Sequence, residues 1–375
     1  MSLRIALFYQ SLVSDWNHGN AHFLRGIASE LQARGHQLRI FEPEDSWSRT
    51  NLIREYGPQA IERFHLAFPH LKSQMYSVDN LRVDEWLDGV DLTIVHEWND
   101  PRLISRVGAY RRRNSGICVA FHDTHHRAIT ATDEIRRFEL SEYDCVLAYG
   151  ASLKHMYERC GWGKQVYVWH EAADVRTFFP RARSGEAGDI VWIGNWGDDE
   201  RTEELREFFI EPVKRLSLSA HAYGVRYPDS AVRELADAQI SYGGWRPNFE
   251  VPEIFSHFRA TIHVPRRPYT RELPGIPTIR PFEALACGIP LVSAPWSDSE
   301  GLFRPGEDFV IAKNGTEMEQ HLEAVIHDSD VAESLRANGL ETIRSRHTCR
   351  HRVDELLEIY AQVAPALAEP AEVAS

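Results

Sequence analysis

The sequence is poor in the features that mark a stapled, metallated or membrane-spanning chain. Its five cysteines, Cys118, Cys145, Cys160, Cys287 and Cys349, are odd in number, scattered and without CxxC spacing, so neither a disulfide framework nor a zinc site is indicated. A reducing, cytoplasmic setting is the expectation. No apolar run approaches the ~20 residues that a bilayer-spanning helix needs, and MSLRIALFYQ meets polar residues too early for a signal peptide. Peripheral membrane contact stays open. No GxGxxG follows any apolar run, which argues against a dinucleotide fingerprint and a dehydrogenase. Positive charge is short as well: 42 Lys and Arg against 55 Asp and Glu leave a formal charge of −13. Binders of a polyphosphate backbone carry a basic face, so nucleic acid is disfavoured as a partner. Arg266, Arg267, Arg271 and Arg280 nonetheless lie close enough in sequence to suggest a local basic cleft.

What is present is core material: 375 residues, 43% hydrophobic and 11% aromatic, beyond the size at which one core keeps growing. Two domains are expected. Apolar runs recur between amphipathic stretches as RIALFYQ, QLRIFEP, DLTIVHEW, GICVAFHD, DCVLAYG and QVYVWH. Such runs, rich in β-branched residues and bounded by turn signals, predict βα units around a buried parallel sheet. After the polar stretch RARSGEAGD the pattern restarts with DIVWIGNW, LSLSAHAYG, QISYGGW, ATIHVP, IPLVSAP and DFVIAK. The expected organisation is an α/β chain of two Rossmann-like doubly wound domains, 1–180 and 188–348, facing a cleft. A terminal helix over 349–368 crosses back to the first domain, and a tail at 369–375 frays.

The segment TIRPFEALACGIPLVSAP, residues 278 to 295, reads as a helix, a Gly288 C-cap and a buried strand. The free N–H groups and dipole at such a helix start suit a diphosphate. Arg280 adds a charge for phosphate, and Glu283 accepts hydrogen bonds from ribose hydroxyls. The competing reading of Arg280 and Glu283 is an i,i+3 ion pair on a solvated helix face. Elsewhere, Gly19 and Asn20 stand at a strand-to-helix junction, where a glycine lets ligand come close and an asparagine caps the helix. His122, Asp123, His125 and His126 crowd the end of the strand GICVA. They read as the best candidate for chemistry in this half, as a metal site, or as histidines that satisfy loop carbonyls.

The signature segment resembles the donor site of retaining GT-B glycosyltransferases, most closely the CgeB-like branch. The resemblance rests on Arg280, Phe282, Glu283, Ala284, Ala286 and Gly288, then LFRPGEDFVIAKN and HTCRHRVDELL, and spans about residues 260 to 360. HGNAHFLRGIASELQARGHQLRIFEP and EAADVRTFFP are similar to the opening and the close of the N-terminal domain in these enzymes. The resemblance implies a nucleotide-sugar co-substrate of UDP or GDP type, no metal or other cofactor, and retention at the anomeric carbon. It implies donor contacts from Arg280, Glu283, Thr278, Gly194, Asn195, Arg201, Arg266 and, at the base, Trp245. Gly19 and Asn20 then line the acceptor or phosphate loop, and His125, Asp123 and His122 meet the transferred sugar. Many such enzymes carry a glutamate eight positions before Glu283, where this chain has Gly275. Glu272 or backbone N–H groups from Gly275 to Thr278 are the expected substitutes.

The function expected is transfer of a sugar from a nucleoside diphosphate to an acceptor hydroxyl. A sugar-nucleotide epimerase and a non-catalytic sugar-nucleotide or glycan-binding protein are the alternatives. The acceptor, the base, the sugar and the oligomeric state are unread.

Overall fold

A computed structural model describes residues 2–182, 185 and 187–364. The chain divides into two compact units, Met1–His170 with Cys349–Ser375, and Glu171–Thr348. The expected tail 369–375 lies outside the described residues, as do Arg183, Ser184 and Glu186 of the expected linker.

The first unit is built on a parallel sheet of β1 (Arg4–Phe8), β2 (Gln37–Pro43), β3 (Gln74–Tyr76), β4 (Leu92–His96), β5 (Cys118–Asp123), β6 (Cys145–Ala148) and β7 (Val166–Val168). Their order is β3-β2-β1-β4-β5-β6-β7. Every residue of β4, β5 and β6 is buried, because helices cover both faces of a parallel sheet. The apolar runs of the sequence are therefore the strands. β3 was not foreseen: QMY, with only Tyr76 buried, is a short edge strand whose composition gives little signal.

The last helix, Cys349–Val363, belongs to this first unit. Val353, Leu356 and Ile359 are buried on it, and the carbonyl of Arg352 accepts the indole N–H of the fully buried Trp169 at 2.8 Å. Arg34, next to the helix Ala21–Ala33, donates to Asp354 at 2.6 Å and to the Arg350 carbonyl at 2.9 Å.

The second unit repeats the plan with β8 (Gly188–Ile193), β9 (Ala220–Tyr223), β10 (Ser241–Tyr242), β11 (Phe258–His263), β12 (Leu291–Ser293) and β13 (Val310–Ile311). All pairings are parallel in the order β10-β9-β8-β11-β12-β13. The segment EAADVRTFFP lies in this unit and not in the first: the Ala173 N–H donates to the His347 carbonyl at 2.9 Å, and Ala173 pairs with Thr348. The stretch ERTEELREFFIEPVKRL, helical on either side, widens to a π-helical turn at Arg206–Ile210. Pro212 explains it, since proline has no N–H and crowds the carbonyl four residues back.

Both sheets have the 3-2-1-4 order of doubly wound folds. Their ligand crevices fall where the winding reverses, at the carboxyl ends of the central strands. Those are β1 and β4 in the first unit and β8 and β11 in the second.

The terminal helix is predicted to be integral to the first unit. Leu356 is 1% exposed, so Leu356→Ala should cost about 2–5 kcal/mol in urea unfolding. A loss below about 0.5 kcal/mol, the usual range for a surface site, would mean that the helix is dispensable.

Candidate functional site

At the carboxyl edge of the second sheet, one buried guanidinium ties the two central strand ends together. Arg201 donates from Nη1 to the Val264 carbonyl after β11 at 2.9 Å, and from Nη2 to the Asn195 carbonyl after β8 at 2.6 Å. Its charge lies 5.0 Å from the Trp192 ring. Among the described residues its buried Nε has no acceptor. Burial above all, with the neighbouring positive charges of Arg266 and Arg280, pushes the guanidinium down to about 9. An arginine keeps its proton in proteins, so the guanidinium stays a cation here.

The signature helix runs Ile279–Cys287, capped by Gly288 in the left-handed conformation at φ 64°. Every residue but Arg280 is buried on it. Arg280 and Glu283 do form the i,i+3 ion pair, but on a buried face: Glu283 is 0% exposed. The second Glu283 oxygen accepts from Asn248 Nδ2 at 2.6 Å. The helix opens on Thr278 at φ 59°, ψ −177°, a region nearly reserved for glycine. A β-branched residue there is held against a steric penalty of about 1–3 kcal/mol, and this strain sits at the helix end proposed for phosphate.

Arg266 pairs with Glu200 at 3.0 Å. Gly194 has a packing reason: a Cβ there would lie 2.5 Å from the Trp192 ring. Asn195 accepts the Val225 N–H with its side chain at 3.2 Å. Trp245 is buried, 8% exposed. Gly275 stands at φ 92°, where a Cβ would come within 2.7 Å of Ser299 Oγ and 2.9 Å of Glu300 Oε1. At that φ any residue with a side chain is strained, so glycine is favoured there. The Gly275 N–H is already given to the Ser297 carbonyl at 2.8 Å, and the Glu272 side chain is exposed.

One residue of this edge escaped the sequence reading. His263, the last residue of β11, is 3% exposed and held near 3 by burial and by the charges of Arg201 and Arg280. Its Nδ1 meets Ser293 Oγ at 2.9 Å, and among the described residues its Nε2 has no partner. It was hidden because ATIHVP reads simply as a strand.

In the first unit, the expected sugar-side residues separate. His122 points into the core, 4.8 Å from the Trp169 ring and 5.4 Å from the His96 ring, and burial holds it near 3. Asp123 is fully buried; it accepts the Tyr157 hydroxyl at 2.7 Å and the His125 N–H at 3.0 Å. Burial raises its pKa against those two bonds. Only His125 of the three is partly exposed, with its ring 4.0 Å from His126 and 5.0 Å from Trp98. His122 and Asp123 end a strand buried on both faces, whereas His125 lies in the loop beyond it. Asn20 stands at the N-cap position of the helix Ala21–Ala33 with no side-chain cap bond, and its backbone carbonyl accepts the first helical hydrogen bond, from Leu24 N–H at 3.1 Å; Gly19 beside it is exposed. Among the described residues no group of three or more His, Cys, Asp or Glu is arranged to hold a metal ion.

The end of β4 supplies what the sequence reading passed over. His96 and Glu97 are both 0% exposed. His96 Nε2 meets Thr124 Oγ1 at 3.0 Å, and its ring lies 6.0 Å from that of His18. Arg127 holds Glu97 through the carboxylate and, at 2.7 Å, through the backbone carbonyl.

Residues 201–358 match the family described as glycosyl transferase-like. No curated protein matches the sequence. Among solved structures, sucrose-phosphate synthase from Thermosynechococcus elongatus superposes at a TM-score of 0.65 with 14% identity, covering 97% of this chain and 100% of its own. HepE of Anabaena, in complex with UDP and glucose, gives 0.65 and 14% over 96% and 99%. An α-glucosyltransferase in complex with UDP and a 13-mer DNA gives 0.65 and 13% over 96% and 100%. With two Rossmann-like parallel-sheet domains and these neighbours, the fold is GT-B. No described helix is long and apolar enough to cross a membrane.

The buried groups at the first sheet's edge predict opposed pH dependences. Burial, outweighing Arg127, pushes Glu97 from 4.5 up to about 8. The folded chain then holds a proton that the unfolded chain has lost between those values, and stability falls as pH rises through them. His18 and His122 are pushed from 6.5 down to about 3, so they lower stability as pH falls below 6.5. Between pH 6.5 and 8 the Glu97 effect stands alone among these three. The melting temperature should fall over that window, by an amount worth about 1–2 kcal/mol, and Glu97→Gln should flatten the fall. An equal fall in the variant would assign the effect elsewhere.

Proposed function

We propose that this chain, a glycosyltransferase by its family match and fold, moves a hexosyl group from a nucleoside diphosphate to an acceptor hydroxyl, with the diphosphate held at the carboxyl edge of the second sheet. The observation that carries the reading is the charge balance there. Three guanidiniums, Arg201, Arg266 and Arg280, converge against two carboxylates, Glu200 and Glu283, beside a helix start with no acidic residue in its first turn. A diphosphate fills that deficit, and the first-turn N–H groups complete its ligation. Arg280 and Asn248 orient the Glu283 carboxylate for the ribose hydroxyls, and Trp245, Gly194 and Asn195 wall the nucleoside. The donor is of UDP or GDP type.

Departure of the diphosphate builds negative charge, and preorganised positive groups in a buried site stabilise that charge most. Arg201, Arg266, Arg280 and the helix end supply this charge, so the transfer needs no metal. We take it as retaining on the resemblance of the signature segment: a phosphate oxygen accepts the acceptor proton on the face the leaving group vacates. His263, neutral and donating from Nδ1 to Ser293 Oγ, whose hydroxyl donates to the Ala294 carbonyl, offers Nε2 as an acceptor to a donor hydroxyl. His125 orients the transferred sugar, and His122 and Asp123 support it from behind through packing and the Tyr157 bond. The five free cysteines suit a reducing cytoplasm.

Charge-assisted hydrogen bonds are worth about 1.5–3 kcal/mol, so Arg201→Gln should weaken UDP or GDP binding by about 10- to 100-fold in calorimetry, with an unchanged circular dichroism spectrum. Wild-type protein that binds neither nucleotide, or a variant that binds as tightly as wild type, would sink the reading. With donor alone, slow hydrolysis supports transfer, whereas an epimerised sugar would replace it with the epimerase.

A further inference from the structure

The carboxyl edge of the first sheet carries a feature that the donor chemistry uses only at His125. Trp47 opens the helix Trp47–Tyr56 after β2, Trp98 and His125 stand in the loops after β4 and β5, and all three are partly exposed. Their rings are contiguous. Trp47 lies 5.8 Å from Trp98 and Trp98 lies 5.0 Å from His125, each at 69°. Trp16 backs Trp47 at 6.4 Å, with its indole N–H fixed by Glu55 at 2.8 Å. Arg127 lies 3.7 Å over the Trp98 ring. Large aromatic side chains normally bury themselves. Here they are gathered at the switch point between β1 and β4, where a doubly wound sheet binds ligand.

Polar groups that lack partners adjoin these rings. His18, 6.3 Å from the Trp47 ring, has Nε2 buried and, among the described residues, without a hydrogen bond. His96 Nδ1, reached through His18, and Glu97 Oε1, reached through Arg127, are in the same condition. Each such orphan costs about 1–3 kcal/mol, and native chains rarely keep three together without a reason. Burial keeps both histidines neutral. The two cations of the cluster have carboxylate partners: Arg127 pairs with Glu134 at 3.1 Å, and Arg25 with Asp15 at 2.9 Å.

Resting on the proposed transfer, we infer that Trp47, Trp98 and His125 form the acceptor platform and that the acceptor is an uncharged saccharide. A pyranose has C–H faces that lie on aromatic rings and hydroxyls at its rim that donate and accept. It therefore matches both the ring surface and the orphaned imidazole and carboxyl atoms. A phosphate-bearing acceptor needs unbalanced cations, and Arg25 and Arg127 have none to give. The hydroxyl that attacks the donor is one of those at the rim of the pyranose; it forms the new glycosidic bond as the bond to the diphosphate breaks, and its proton leaves on a phosphate oxygen.

The test uses the full chain and saturation-transfer NMR with a set of methyl hexopyranosides, beside a thermal-shift measurement of the same wild-type protein with UDP and GDP. Pyranoside C–H signals are expected with the wild type. Loss of one aromatic face is worth about 1–1.5 kcal/mol, so Trp98→Ala should weaken the best glycoside by about five- to tenfold, and Trp98→Phe should restore most of it. Absence of every pyranoside signal, or undiminished binding by Trp98→Ala, overturns the platform. A short DNA duplex that takes up saturation where pyranosides do not overturns it in favour of a nucleic-acid acceptor. A missing nucleotide shift counts against the donor site alone, so the two failures are distinct.

Discussion

The second domain depends on a cation placed where it lacks sufficient counter-charge. Arg201 joins the ends of β8 and β11 by two hydrogen bonds to carbonyls, which fixes the shape of the crevice. The same position withdraws it partly from water and sets it near Arg266 and Arg280. One residue thus holds the strand ends and concentrates positive charge between them. The strained Thr278 and the buried Arg280–Glu283–Asn248 chain add rigidity around that charge. Low dielectric makes each of these charges count for more than it would on the surface.

The first domain shows the opposite electrical character. Its strand ends are rich in imidazole and indole, its histidines are neutral by burial, and its arginines are paired. On the proposed transfer this contrast has a use: a donor end neutralises phosphate, and an acceptor end recognises a ring without attracting the diphosphate to itself. The overall charge of −13 describes neither surface.

The strands were legible because parallel sheets are buried on both faces and so read as apolar runs, from RIALF to LVS. β3, with one buried residue in three, and the π-helical turn before Pro212 gave no such signal. Spacing alone put Arg280 one turn from Glu283, but it placed the pair equally well on a solvated face; burial came from the strands the helix covers. Asn248, 35 residues from Glu283, has no local pattern that announces it. His263, His96 and Glu97 lay inside runs read as strands, because periodicity identifies the element and is silent about its last residue. His122 and His125 look equivalent in FHDTHHR, but the doubly buried strand ends at Asp123 and leaves only His125 in the loop beyond it. Gly275 looks like a missing carboxylate, whereas its positive φ is the conformation that favours glycine.

The central claim is that the carboxyl edge of the second sheet is a diphosphate site built on Arg201. A crystal structure of the full chain with UDP tests it most directly. The account predicts the pyrophosphate at the start of the helix Ile279–Cys287, with a phosphate oxygen on Arg201 Nε and the ribose on Glu283. A nucleotide seated elsewhere, with the Arg201 Nε still lacking an acceptor, would contradict it.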